Sequence, residues 1–115
     1  MDFSHILNIF GSAITAGLGV MALIRPSSAA AFTSIQPIGL LGVSEIRATY
    51  GGFFLALGAY GLYAQAATVF VVLGIAWLGA ATGRLVSIAV DKSHAPKNIG
   101  GVVFESAIAA LLLAP

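Results

Sequence analysis

Residues 66–90 read AATVFVVLGIAWLGAATGRLVSIAV, a run in which Arg84 is the one charged side chain. A helix crosses the hydrocarbon core of a bilayer with about 20 apolar residues, and this run is long enough to do so. Beyond it lies the polar segment Asp91-Lys92-Ser93-His94-Ala95-Pro96-Lys97-Asn98, and then a second apolar stretch from Ile99. Before it, Gln65 marks a tight hairpin, and two further apolar stretches precede that. The pattern predicts an all-α membrane protein, a four-helix transmembrane bundle with helices at 5–24, 45–63, 66–90 and 99–114. The whole chain, 1–115, is expected to form one domain.

Composition restricts the alternatives. Hydrophobic residues are 59% of the chain and charged residues 8%, whereas a soluble domain carries about 25% charged residues. So little polar surface cannot wrap so much apolar surface in water. The absence of cysteine excludes a disulfide, a thiol redox centre and a thiolate metal site. A net charge of +1 is too small to recruit nucleic acid by counterion release. At the amino terminus Asp2 and His5 precede the first apolar run and Arg25-Pro26 follow it. A secretory signal has its basic residues in front, so the first helix is expected to be retained.

Between the first two predicted spans, residues 27–42 mix Ser, Thr, Gln and Pro37 with apolar side chains. They read as an interfacial segment containing a short helical turn. Ser44 is a candidate cap for the second span, with Glu45 in its first turn. Four crossings place Arg25, Arg47, Lys92 and Lys97 on one side, with Arg84 pointing towards it. By the positive-inside rule, that side is cytoplasmic, both termini are periplasmic, and the protein resides in a bacterial inner membrane. Gly11, Thr15 and Gly19 recur every fourth residue, and Gly51, Gly58 and Gly61 share a broad face. Small residues at such spacing let helices approach closely in lipid; they serve either ordinary bundle contacts or a partner face.

The charged groups inside the spans need a physical explanation. Arg84 lies near the end of the third span and Glu105 a similar distance into the fourth. Both are roughly 10 Å from the hairpin that joins them, at 1.5 Å per residue, so an antiparallel pair brings them to one depth. Arginine can snorkel along its stem. Glutamate is too short for that, and an intramembrane charge must pair, hydrate or neutralise. Mutual pairing satisfies both. Arg47, Tyr50, Glu45 and Ser87 fall near the same level, so the sequence predicts one polar cluster of Glu45, Arg47, Tyr50, Arg84 and Glu105. This cluster is either a clamp between helices or a small cavity for an anionic or polar lipophilic ligand, because paired arginines suit oxyanions. His5 and His94 fall on opposite sides and cannot share a metal. Trp77 reads as lipid-facing or core filler, and Tyr60 and Tyr63 as interfacial rings. No triad, phosphate loop or metal motif appears.

The segment Ser44-Glu45-Ile46-Arg47-Ala48-Thr49-Tyr50-Gly51-Gly52, followed by Leu57-Gly58, resembles a family of small four-helix bacterial membrane proteins of unknown function. That family is similar to the broad DoxX-like group. Gly83-Arg84-Leu85 and Glu105 also match its pattern, and the similarity covers nearly all the chain beyond about Pro26. The resemblance implies four helices and singles out Glu45, Arg47, Tyr50, Gly51, Gly52, Arg84 and Glu105. The wider group is associated with subunits of quinone-linked sulfur oxidation and with oxidative-stress membrane complexes. This chain lacks cysteine and a histidine pair in its helices, so an autonomous redox role transfers poorly.

The expected function is therefore a non-catalytic accessory protein or a binder of a small lipophilic or anionic ligand. No catalytic residue, metal or cofactor is predicted, and a lipid or quinone is the small molecule the cluster would suit. Membrane lipids are the expected partners, together with a homo-oligomer or a larger membrane-protein complex. Two alternatives stand beside this reading. One is a small-solute or proton-coupled transporter acting as an oligomer. The other is a membrane enzyme or quinone-linked redox subunit with Tyr50 or Glu105 as acid–base group.

Overall fold

The computed structural model describes residues 2–115, and every regular element among them is helical. In chain order these are α1 (Phe3–Ile24), α2 (Pro26–Thr33), α3 (Gly39–Glu45), a π-helix (Ile46–Phe53), α4 (Phe54–Ala64), α5 (Ala67–Asp91) and α6 (Pro96–Leu113). Three of them, α1, α5 and α6, are long and apolar enough to cross a membrane. The chain is thus a multi-pass membrane protein.

The expectation of four uniform crossings is corrected here. The stretch expected to be the second span, 45–63, is not a single α-helix. A helical run starts earlier, at Gly39, changes to π geometry at Ile46, and returns to α geometry at Phe54. Its pieces are 7, 8 and 11 residues long, and none reaches the roughly 20 residues of a spanning α-helix. Backbone angles at both junctions stay right-handed helical, with φ −61° and ψ −47° at Ile46 and φ −65° and ψ −42° at Phe54. Ser44 consequently lies inside α3 and caps nothing; Ile38 occupies the N-cap, without a side-chain bond. A π turn closes i→i+5 bonds, so residues five apart share a face. Ile46 and Gly51, five apart, are both buried, and so are Gly58 and Gly61 further along.

The chain divides into two compact units, one running up to Gly11 and resuming over Gln65–Pro115, the other comprising Ser12–Ala64. In the first, α5 and α6 form an antiparallel hairpin. Lys92 ends α5 in the left-handed region (φ 58°), and Pro96 opens α6, where its missing N–H costs nothing. Gly74 accepts Leu113 and Leu112 at one end of the hairpin, and Gly11 of α1 lies against Leu112 and Leu111. Phe70, Leu73, Trp77, Ile108 and Leu112 are buried, which settles Trp77 as core.

In the second unit, the later turns of α1 lie antiparallel to the π-helix and α4. A β-carbon on Gly19 would come within 2.7 Å of the Gly51 carbonyl oxygen, and one on Gly58 within 2.7 Å of the Ser12 carbonyl oxygen. Backbone thus meets backbone at two levels. Pro26 starts α2 directly after α1, and Ser34, at φ 60°, closes it. Ala22, Ala29, Ala30 and Ile46 form a small core there, flanked by Met21 and Tyr50.

Candidate functional site

The best-defined polar site belongs to the α5–α6 hairpin. Glu105 lies on the buried face of α6, and its side chain is 10% exposed; Arg84 on α5 is 35% exposed. Arg84 Nε donates to Glu105 Oε1 at 2.7 Å, and its Nη1 donates to Asn98 Oδ1 at 3.1 Å. Asn98 Nδ2 in turn donates to the Ser93 carbonyl at 2.9 Å and lies 3.3 Å from Ser93 Oγ. The chain of bonds therefore runs from the buried carboxylate, through the guanidinium and an amide, into the interhelical turn. A charge-assisted bond of this length is among the stronger kinds, and a buried carboxylate calls for such a partner.

Gly101 makes the contact sterically available. A β-carbon there would sit 2.7 Å from both Cζ and Nε of Arg84, so the guanidinium lies across bare backbone. Asn98 and Gly101 were not among the expected site residues. The signal was present, however: 98, 101 and 105 follow i, i+3, i+7 spacing, one face of a helix. Ser87, placed near the cluster by depth alone, donates instead to Asp91 Oδ2 at 2.7 Å, one turn along its own helix.

Glu45, Arg47 and Tyr50 belong to the other unit. Arg47 sits in the first turn of the π-helix and donates from Nε to the Leu23 carbonyl at 3.1 Å. Leu23 is in the last turn of α1, where carbonyls lack partners within the helix and a cation meets the negative end of the helix dipole. Arg47 thereby ties the second helical run to the end of the first. Tyr50 is half-buried and its ring packs edge-on to Phe54 at 5.9 Å, while Glu45 is exposed. A β-carbon on Gly52, singled out by the resemblance, would meet the Arg47 carbonyl oxygen at an ordinary 3.9 Å, and Gly61 and Thr15 are buried.

A second polar group unanticipated from sequence lies where α1 begins and α6 ends. Asn8 is buried, and its amide nitrogen lies 2.8, 3.1 and 3.2 Å from the carbonyls of Leu111, Leu112 and Ala114. It satisfies the orphan acceptors at the C-terminus of α6. Nearby, His5 Nε2 lies 2.8 Å from Gln65 Oε1, and the ring meets Phe70 edge-on. A cleft of about 170 Å³ opens here, lined by Asp2, Ser4, His5, Asn8 and Phe70 among others. The Ser12 hydroxyl, fully buried in α1, has no hydrogen-bond partner among the described residues.

Together these features define a small all-α multi-pass membrane protein in which a partly buried Arg–Glu pair joins two long apolar helices. The model of the family described as a domain of unknown function (DUF4345) matches residues 3–114, and the chain belongs to that family. No curated protein and no solved structure matches the chain.

Proposed function

We propose that this protein is a non-catalytic accessory protein of the bacterial inner membrane, whose intramembrane charges hold its own helices and whose outer surface meets lipid and partner chains. The observation that carries this reading is the division of the Arg84 fork between Glu105 and Asn98. Both partners lie on α6 and both bonds are made, so the guanidinium is engaged as a brace between helices. The resemblance to the DoxX-like group, carried by Glu45-x-Arg47-x-x-Tyr50-Gly51-Gly52, favours the accessory role in a larger complex. The span of the family match across both units favours reading the chain as one domain.

Orientation forms part of the proposal. Lys92 and Lys97 flank the α5–α6 turn, and the positive-inside rule puts that turn in the cytoplasm. Asn8 bonds to the end of α6, so the start of α1 and the end of α6 lie together, away from that turn. Extraction in a mild detergent followed by native mass measurement tests the accessory reading. A second polypeptide, or a further copy of the chain, at fixed stoichiometry is the expected result. A bare monomer under every mild extraction, or turnover of a lipophilic substrate by the purified chain alone, would refute it.

A further inference from the structure

The second unit contains a surface that the Arg84–Glu105 brace does not explain. Residues 32–41 present large apolar side chains outward: Phe32 is 55% exposed, Ile38 88%, Leu40 87% and Leu41 75%. They belong to α2, to the link after it and to α3, which opens the helical run that continues through the π-helix. Thr33, Ser34 and Gln36 are interspersed among them. Exposed apolar side chains interleaved with polar ones suit the boundary between lipid headgroups and acyl chains.

Two arginines lie in the same unit. Arg25 joins α1 to α2 and is exposed; Arg47 is exposed and is fixed by its Nε to the Leu23 carbonyl, two residues before Arg25. That bond engages one of five guanidinium donors. The carboxylate nearest in sequence, Glu45, is exposed and makes no ion pair among the described residues. The balance around this end of α1 is therefore basic, and the same unit exposes the apolar side chains of residues 32–41.

The geometry points to a headgroup site for anionic phospholipid, with Arg25 and Arg47 holding the lipid phosphate and residues 32–41 seated against the acyl chains beside it. Guanidinium forks match phosphate oxygens in pairs. A basic residue close to an anionic leaflet strengthens attachment about fivefold. The site is independent of the accessory reading, since it uses neither Arg84 nor Glu105.

Native mass spectrometry of the full chain, released from nanodiscs of mixed phosphatidylcholine and phosphatidylglycerol, tests it. Phosphatidylglycerol should be retained in preference to phosphatidylcholine. Arg25→Gln should lower that preference about fivefold, Arg47→Gln by a similar factor, and Lys92→Gln should leave it unchanged. Arg25 is the decisive position, because its side chain makes no bond among the described residues, whereas Arg47→Gln also releases Leu23. Equal retention of the two lipids would overturn the assignment, as would a parent-like Arg25→Gln. An equal loss on Lys92→Gln would reduce the effect to net charge. Displacement of the lipid by inorganic phosphate at modest concentration would show a site for free anions instead.

Discussion

Glu105 and Glu45 are both carboxylates beside a helix turn, yet their surroundings rank them far apart. Glu105 is buried and bonded to Arg84 at 2.7 Å; Glu45 is exposed. Removing one partner of a buried pair costs about 3–5 kcal/mol, while an exposed interaction is worth about 1 kcal/mol or less. Glu105→Ala should therefore melt well below the parent in a given detergent, Glu105→Gln less so because an acceptor remains, and Glu45→Ala near the parent. Gly101 gives a second test at this scale. Gly101→Ala must displace the Arg84 guanidinium and should destabilise by about 1–3 kcal/mol, the loss of a charged hydrogen bond. Gly100→Ala, with open space around the added methyl, should be neutral or gain up to about 1 kcal/mol of helix propensity. A thermal series of both variants reads the difference. The Arg84–Glu105 pairing was legible because depth follows from counting residues to a shared turn. Asn98 was assigned to that turn by its polarity, and its place on the Glu105 face was overlooked. Asn8 could not be foreseen, because the carbonyls it caps lie more than a hundred residues away.

At the scale of elements, two kinds of glycine can be told apart by substitution. Gly19 and Gly58 face backbone atoms of the neighbouring helix, which cannot move aside as a side chain can; Gly17 on the same α1 faces open space. Gly19→Ala and Gly58→Ala should each lower stability by about 1–3 kcal/mol, the range for overpacking, and Gly17→Ala should not, as denaturant titration of the three would report. The turn after α5 supplies a prediction of opposite sign. Lys92 holds a left-handed conformation that costs an L-residue about 1–2 kcal/mol and glycine very little. Lys92→Gly should therefore be about 1 kcal/mol more stable than Lys92→Ala. The long apolar helices were readable from hydropathy alone, to within a few residues at their ends. The π-helix was not, since hydropathy averages over a window and is blind to whether a turn closes on i+4 or i+5. Only the five-residue step from Ile46 to Gly51 marks it. That is why a uniform second span was expected over 45–63 where the chain instead forms α3, the π-helix and α4.

For the whole molecule, the central claim is that the charges of α5 and α6 act as a brace between helices, leaving the protein's work to its surfaces. Membrane residence followed from composition, because 59% hydrophobic and 8% charged residues admit no water-soluble shell. The activity did not follow, since an Arg–Glu pair serves a clamp and a pocket with the same side chains. A double-mutant cycle separates the two physically. In a brace, each single change leaves the other charge without its partner, and the double change leaves neither charge behind. The measurement is the unfolding free energy, in one detergent, of the parent, Arg84→Met, Glu105→Leu and the double variant. The brace predicts single losses of about 3–5 kcal/mol and a double variant no worse than either single one, as for buried ion pairs replaced by apolar residues. Losses that simply add, or single variants that unfold like the parent, would contradict it.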